Sequence, residues 1–410
     1  MDMKQIKKVL LLYSGGLDTS VILKWIQETY KAEVVTFTAN VGQETESTFD
    51  KIKEKAAKAG AVACEILDLR EEFINDYIVP SIKANAFYQG IYPISTSVAR
   101  YLIAIKAVEA AKKHGCDAIA HGSTGKGNDQ VRFDITIKAL DPNLEVIRPM
   151  IEWGMGRDDE IKYAQEHGIE VLNANKTYST DENLWGRSIE CGPMEHPEQV
   201  PPRESTSWIA KPEQWPNEPE YVKIGFKQGV PVSFNDQEMK PIDVVMKCHA
   251  VGCKHGVGWI QHMEDRVVGL KSRETYETPA AAIMIPAHKE LEKYVSTRSE
   301  NAFKPLIDQR WTEMAYDGLW LDPLMNSLTA FINESNIKVT GSAKVRLFKG
   351  SAAVVAVDSP YGIYNLNLAT YDTNSNFNQK ASYGFIELFG LSTRMGYQTR
   401  QRMLKDYNKK

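Results

Sequence analysis

The stretch Lys8–Leu23, KVLLLYSGGLDTSVIL, constrains the fold more than any other part of the chain. An apolar run of strand length, Val9–Tyr13, stops at a hydroxyl and two glycines. Apolar residues then resume at helical spacing, at Val21, Ile22, Trp25 and Ile26. A buried strand that feeds a helix through a tight turn begins a βαβ unit, which predicts a parallel sheet covered on both faces. Backbone N–H groups left unpaired at such a helix N-terminus make an anion site. The same turn also fits an ordinary capped connection with Ser14 or Asp18 as the cap. It is not a Walker loop, because no Lys precedes the Ser/Thr, and its glycines lack the dinucleotide spacing.

The pattern continues for about 170 residues. Strand-like Glu33–Thr38, Ala61–Leu67, Asp117–Ala120 and Leu144–Ile147 alternate with helical Thr19–Glu28, Thr48–Ala59 and Ser97–His114. This order implies an α/β, doubly wound parallel sheet whose ligands bind at the carboxyl ends of the strands. SGGLDTS and the later HGSTGKGNDQ both follow strands, which puts them on one rim. From about Asn173 the texture changes. Residues 191–219 are rich in Pro, Trp and Glu and read as a long irregular connection. Tyr221–Phe226 and Val230–Phe234 resemble a hairpin around Gln228-Gly229. Asn336–Phe348 and Ser351–Asp358 resemble another around Lys349-Gly350. Ile242–His249 fits helix or strand equally. After the polar YDTNSNFNQK, Phe385–Tyr407 has the spacing of one amphipathic helix. The expected division is a nucleotide-binding domain over 1–172, an α+β domain over 173–364 and a C-terminal helical arm over 365–410.

A chain of 410 residues is long enough for two or three cores. Its net charge of −4, without a basic block, argues against nucleic acid as the main partner. No span approaches the ~18–20 apolar residues of a membrane helix. The opening MDMKQIKK runs straight into a strand and predicts neither signal nor transit peptide, so a cytoplasmic location is expected. Five cysteines without a CxxC pair argue against a disulfide framework and a structural zinc site. His249, Cys253 and His255 lie close in sequence but lack a second cluster at metal spacing, so no protein metal site is expected.

The segment His121–Phe133 is HGSTGKGNDQVRF. Its glycines let backbone approach a ligand, and Asn128, Asp129 and Arg132 follow at what reads as the first turn of a helix. An amide, a carboxylate and a guanidinium together suit a zwitterion, with Asp for an ammonium and Arg for a carboxylate. The same residues also fit a glycine loop with a surface ion pair.

SGGLDTS after a strand resembles the pyrophosphate-binding loop of the ATP-pyrophosphatase group. Together with HGSTGKGNDQVRF it resembles the argininosuccinate synthase family. The resemblance continues through YPISTSVAR (92–100), STDENLWGRSIE (179–190), KHGVGWIQHMEDRVVGLKSRETYETPA (254–280) and GFIELFGLSTR (384–394). Pro93, Ser95, Trp259 and the GRS at 186–188 depart from the family's pattern. The resemblance implies an ATP-dependent condensation of citrulline with aspartate through a citrullyl-adenylate, releasing AMP and pyrophosphate. It also implies Mg²⁺ held largely by phosphate and water, and a homotetramer embraced by the C-terminal helices. ATP would lie along Leu12, Tyr13, Ser14, Gly15, Gly16, Leu17, Asp18, Thr19 and Ser20, bordered by Ala39 and Gly122. Citrulline would meet Tyr92, Ser97, Asn128, Arg132, Ser179, Ser188, Glu264 and Tyr276. Aspartate would meet Thr96, Thr124, Asn128 and Asp129. Asp18, Asp129 and Arg132 are the expected catalytic residues, and Asp129 is the carboxylate expected to orient the aspartate amine and take its proton. Without that resemblance Tyr92 reads as a turn aromatic, Ser179 as a helix cap and Glu264 as a solvated residue. Two rival readings are another adenylating synthetase of the same group and a non-catalytic nucleotide-binding module. Neither the paired cysteines of a thiolating enzyme nor an attached amidase domain is visible.

Overall fold

A computed structural model describes residues 6–43, 45–154, 156–169, 177–373 and 375–408. The boundary expected at 172/173 and the first five residues lie outside these ranges.

Strands β1 (Lys8–Leu12), β2 (Glu33–Asn40), β3 (Ala63–Asp68), β4 (Ala118–Ala120) and β5 (Glu145–Ile147) form an all-parallel sheet. Its order is β3-β2-β1-β4-β5. Side chains of β1 alternate between two cores, as a strand covered on both faces must. Val9 and Leu11 pack with Ile22, Leu23, Ile26, Phe49 and Ile52, whereas Leu10 packs with Phe37, Val98 and Leu102. The chain leaves β1 toward β2 on one side and later returns to β4 on the other. That topological switch opens a crevice outside the carboxyl end of β1. The doubly wound sheet is therefore as the sequence predicts.

The remainder of the first compact unit, residues 1–362, is antiparallel sheet and helix. Its strands are β6 (Ser179–Asn183), β7 (Gly186–Glu190), β8 (Glu220–Lys227), β9 (Val230–Phe234), β10 (Gln237–Glu238), β11 (Trp259–Asp265), β12 (Lys271–Glu277), β13 (Gly341–Phe348) and β14 (Ser351–Asp358). They make two sheets, ordered β11-β12-β7-β6 and β10-β9-β8-β13-β14. Both expected hairpins are present. Gln228-Gly229 and Lys349-Gly350 all have positive φ, the geometry that a two-residue turn needs to match strand twist. One continuous core runs from Leu10 and Phe37 through Tyr92, Trp185 and Tyr276 to Ile224 and Val345.

Several expectations change. Tyr13 lies beyond β1, and β2 runs on to Asn40 because β3 pairs with it as far as Asp68. The ambiguous Ile242–His249 belongs to the helix Pro241–Lys254, whose first position is a proline that needs no N–H partner there. Asn336 ends the helix Pro323–Asn336 rather than opening a strand, and its amide bonds inward to Ile332 O and His288. Ser179 starts a strand, so it caps no helix.

The second unit, residues 363–410, carries a short helix Leu366–Ala369 and two longer ones. The single helix expected over Phe385–Tyr407 is divided into Ala381–Phe389 and Leu391–Tyr407 at Gly390. Phe385, Leu388, Phe389 and Tyr407 are all at least 60% exposed. Among the described residues no helix is long and apolar enough to cross a membrane. All five cysteines are free.

Candidate active site

A cleft of about 900 Å³ lies at the carboxyl end of β1. One half of it is the glycine turn. Gly15 has φ +74, and a Cβ there would meet Ile52 Cγ1 at 2.7 Å, so the turn needs glycine for two reasons. Gly16 is the N-cap of the helix Leu17–Tyr30 and gives no side-chain cap bond, so the first-turn N–H groups are not consumed by a cap. Ser14 Oγ accepts from the Gly16 N–H (3.3 Å) and bonds Thr19 Oγ1 (3.2 Å). Lys55 Nζ donates to Gly15 O (3.3 Å), bringing a cation to the turn that a Walker loop would carry within itself. Thr38 Oγ1 donates to Tyr13 O (2.6 Å) and ties the turn to β2. These bonds shape the turn before any anion arrives.

Most of the residues expected along ATP line this half: Leu12, Tyr13, Ser14, Gly15, Gly16, Asp18, Thr19, Ala39 and Gly122. Leu17 and Ser20 do not. The Ser20 hydroxyl points back into the fold, donating to Gly16 O (2.8 Å) and bonding Tyr13 Oη (2.9 Å). It braces the loop instead of facing the cleft.

The other half is ionic. The helix Ser95–His114 supplies Thr96, Ser97 and Arg100, and the helix Asp129–Leu140 supplies Asp129 and Arg132 after Asn128. The β11-β12-β7-β6 sheet supplies the floor. Along its strands polar residues recur at every second position, including Ser179, Asp181, Ser188, Glu190, Glu274 and Tyr276. Every residue expected to meet citrulline or aspartate lines the cleft: Tyr92, Thr96, Ser97, Thr124, Asn128, Asp129, Arg132, Ser179, Ser188, Glu264 and Tyr276.

Arg132 is 3% exposed. Its Nε donates to Tyr316 O (2.9 Å) and its Nη1 to Asp129 Oδ1 (3.0 Å), while Nη2 is buried with no partner. A buried guanidinium with an unmade bond beside a cleft is suited to a carboxylate ligand. Asp129 is also paired with Arg100 (2.9 Å). Burial by itself would raise the Asp129 carboxyl, but the two guanidiniums outweigh it and hold it at about 2. The two guanidiniums of these pairs are buried or nearly so, while a third of the Asp129 side chain stays open to the cleft. Such a carboxylate keeps its charge and is suited to an ammonium. Glu264 accepts from Tyr276 Oη (2.5 Å) and from Tyr316 Oη. It is buried, and burial raises its carboxyl above the usual range against the pull of those hydroxyls. Tyr92 stacks on Tyr276 with ring centres 4.0 Å apart and bonds Thr96 Oγ1 at 2.9 Å. Asn128 donates to Tyr316 Oη (2.7 Å) and accepts from the Val267 N–H (2.9 Å). One amide hydrogen and one lone pair are left for ligands.

The sequence reading missed Lys55, Arg100, Asp181, Glu190, Arg266, Glu274 and Tyr316. The alternation of polar residues along Ser188–Glu190 and Glu274–Tyr276 was a usable signal for the floor. No local signal marks Tyr316, which enters from the helix Arg298–Asp317. The departures from the family pattern find partners in the structure. A Cβ on Gly186 would meet Ser95 Cβ and Oγ at 2.7 Å. Pro93 O accepts from Trp185 Nε1 (3.3 Å), and Arg203 lies 3.6 Å over the Trp259 ring.

Two family models match nearly the whole chain. Residues 8–170 match the arginosuccinate synthase N-terminal HUP domain, and residues 178–396 match the arginosuccinate synthase C-terminal domain. The chain is 50% identical over 390 residues to an argininosuccinate synthase of Pyrococcus furiosus, covering 95% of this chain and 94% of the relative. It is 48% identical over 390 residues to that of Symbiobacterium thermophilum, covering 95% and 97%. The enzyme of Rubrobacter xylanophilus is 48% identical over 389 residues, covering 95% and 94%.

Proposed function

The chain belongs to the argininosuccinate synthase family of C–N ligases, and we propose that its cleft joins citrulline to aspartate in two steps divided between its two halves. The observation that carries the division is the single cleft in which an uncapped helix N-terminus faces a buried guanidinium with one unmade bond.

In the first step the glycine-turn half holds the triphosphate of ATP. Backbone N–H groups, Ser14, Thr19 and the nearby Lys55 stabilise the charge that develops on the leaving pyrophosphate. Asp18 lies at the same turn. A ureido oxygen is a weak nucleophile, so alignment with the α-phosphorus matters more than activation. In this reading Arg132 and Ser97 grip the citrulline carboxylate end, Tyr92 and Tyr276 flank the side chain, and Ser179, Ser188, Asn128 and Glu264 complete the site. In the second step Thr96, Thr124, Asn128 and Asp129 hold aspartate, and its amine displaces AMP.

Among the described residues no group of three His, Cys, Asp or Glu is placed to cage a metal ion. The Asp18 carboxylate at the turn fits a Mg²⁺ held mainly by phosphate oxygens and water, where it would neutralise phosphate charge. Five unpaired thiols support a reducing, cytoplasmic setting. The exposed apolar residues of the helices Ala381–Phe389 and Leu391–Tyr407 support a homotetramer built through them. Deleting residues from Ser382 onward should lower the mass seen by light scattering, and an unchanged assembly would remove that assignment. For the chemistry, ATP turnover is measured with and without citrulline. AMP and pyrophosphate in equal amounts, dependent on citrulline, are expected; ADP and inorganic phosphate would overturn the reading.

A further inference from the structure

The charges of the ionic half do not balance evenly. Arg100 and Arg132 face Asp129 and Asp181, two guanidiniums for two carboxylates. Arg266 alone faces both Glu190 (2.9 Å) and Glu274 (2.6 Å). The register that pairs Ile189 with Thr275 carries on to set Glu190 beside Glu274, on the floor of the cleft. Arg266 is itself fixed, donating to Ser272 Oγ (2.8 Å) and to Lys126 O (3.2 Å) in the glycine loop. Two carboxylates therefore share one guanidinium in this part of the cleft. Only one member of the pair is open. Glu274 is 2% exposed, whereas about 40% of the Glu190 side chain remains accessible.

We propose that Glu190 is the proton acceptor that frees the aspartate amine in the second step, with Arg266 and Glu274 as its positioning residues. The proposal rests on the two-step reading above. The other carboxylates are less suited. Asp129 is bound by two guanidiniums, and both oxygens of Glu264 accept tyrosine hydroxyls within a buried site. Asp181 pairs directly with Arg100, a guanidinium it shares with Asp129, and has only one carboxylate beside it on that cation. The groups facing Glu190 are Arg266 after β11, Glu264 on β11, Glu274 on β12, Asp181 on β6 and Asp129 at its helix start. Its seat on the cleft floor, with the carboxylates of Glu274, Asp129 and Asp181 nearby, outweighs Arg266 and raises the Glu190 carboxyl above the usual range. That suits a group that must take a proton near pH 7 and later give it up.

The Glu190 carboxylate takes one proton from the aspartate ammonium. The freed lone pair attacks the ureido-derived carbon of the neutral isourea adenylate, forming the C–N bond. The C–O bond breaks, and its electron pair leaves on the AMP oxygen. A second hydrogen of the attacking nitrogen moves to the isourea nitrogen, so the product ends as a guanidinium. The proton on Glu190 passes to departing AMP or to solvent.

The test is Glu190→Gln, assayed by single-turnover pyrophosphate release without aspartate and by the full reaction across pH. Pyrophosphate release should stay within about threefold of the parent, and the full reaction should fall about 100-fold or more. Its rise with pH through neutrality, present in the parent, should vanish. Hydroxylamine, already neutral, should trap the adenylate equally well in both proteins. Glu274→Gln should move the acid limb to lower pH, because one negative neighbour of Glu190 is gone. An unchanged acid limb in Glu190→Gln, or its loss in Asp181→Asn instead, would overturn the assignment, as would loss of pyrophosphate release in Glu190→Gln. Failure of the parent itself to release pyrophosphate with ATP and citrulline would count against the two-step reading, not against Glu190 alone.

Discussion

The two halves of the cleft are built by different means. The glycine turn comes from one short segment, Tyr13–Ser20, braced by neighbours such as Lys55 and Thr38. The groups it offers to a ligand are backbone amides and hydroxyls, which need the turn's shape and little else. The ionic half draws on several distant segments, and its members lean on one another. Arg132 is held by Asp129 and Tyr316, Tyr316 donates to Glu264, and Asn128 joins Tyr316 to Val267. A change in the first half should stay local, whereas a change in the second should spread.

The hardest test of that contrast is Arg132→Leu. It removes the proposed carboxylate partner and leaves Asp129 with one guanidinium fewer. Breaking a buried pair costs about 3–5 kcal/mol, so citrulline-dependent pyrophosphate release should disappear and the thermal midpoint should fall. Retained release at ordinary citrulline concentration would show that the network is not shared. Asp129→Asn should have a smaller and more selective effect. Loss of charge-assisted bonds is worth about 1.5–3 kcal/mol, or one to two decades in aspartate affinity or rate. Adenylate formation should survive, seen as ¹⁸O carried from the ureido group into AMP without aspartate. Equal damage to both steps would mean that Asp129 acts mainly by setting Arg132.

Gly15→Ala probes the local half. The added methyl meets Ile52 Cγ1 at 2.7 Å in a left-handed residue, a strain of about 1–2 kcal/mol. ATP should bind roughly 5- to 30-fold more weakly, with citrulline affinity measured by calorimetry unaffected. A matching loss for citrulline would join the two halves. The smallest effect expected is on acid stability. Asp129 is held near 2, below its unfolded value of about 3.9, so its ion pairs stabilise the fold above that value. That contribution should fade as pH falls from about 4 toward 2. Asp129→Asn should flatten this part of the curve of denaturation midpoint against pH, and parallel curves would count against the paired carboxylate.

How much was legible follows the same division. Apolar runs ending at Gly15-Gly16 and at His121-Gly122 disclosed the parallel sheet and its rim, because strand, turn and helix each leave a signature within a few residues. Gln228-Gly229 and Lys349-Gly350 marked hairpins for the same reason. The β11-β12-β7-β6 sheet was not seen, since a strand whose cleft face is polar carries little apolar periodicity. One helix was read where Gly390 makes two, because residues on both sides keep a helical spacing. Its position in the motif puts Ser20 in the cleft, yet its rotation about the helix turns it to Gly16 O and Tyr13.

The sequence by itself determined the doubly wound sheet, the glycine turn and the family, since each rests on contiguous residues whose chemistry acts over a few ångströms of chain. Only the tertiary structure decided which charges meet. That Asp129 lies between two guanidiniums while Glu190 and Glu274 share one depends on Arg100, Asp181 and Arg266 arriving from separate elements. Proton affinity is set by the sum of such through-space interactions and by burial, and neither is a property of neighbours in sequence.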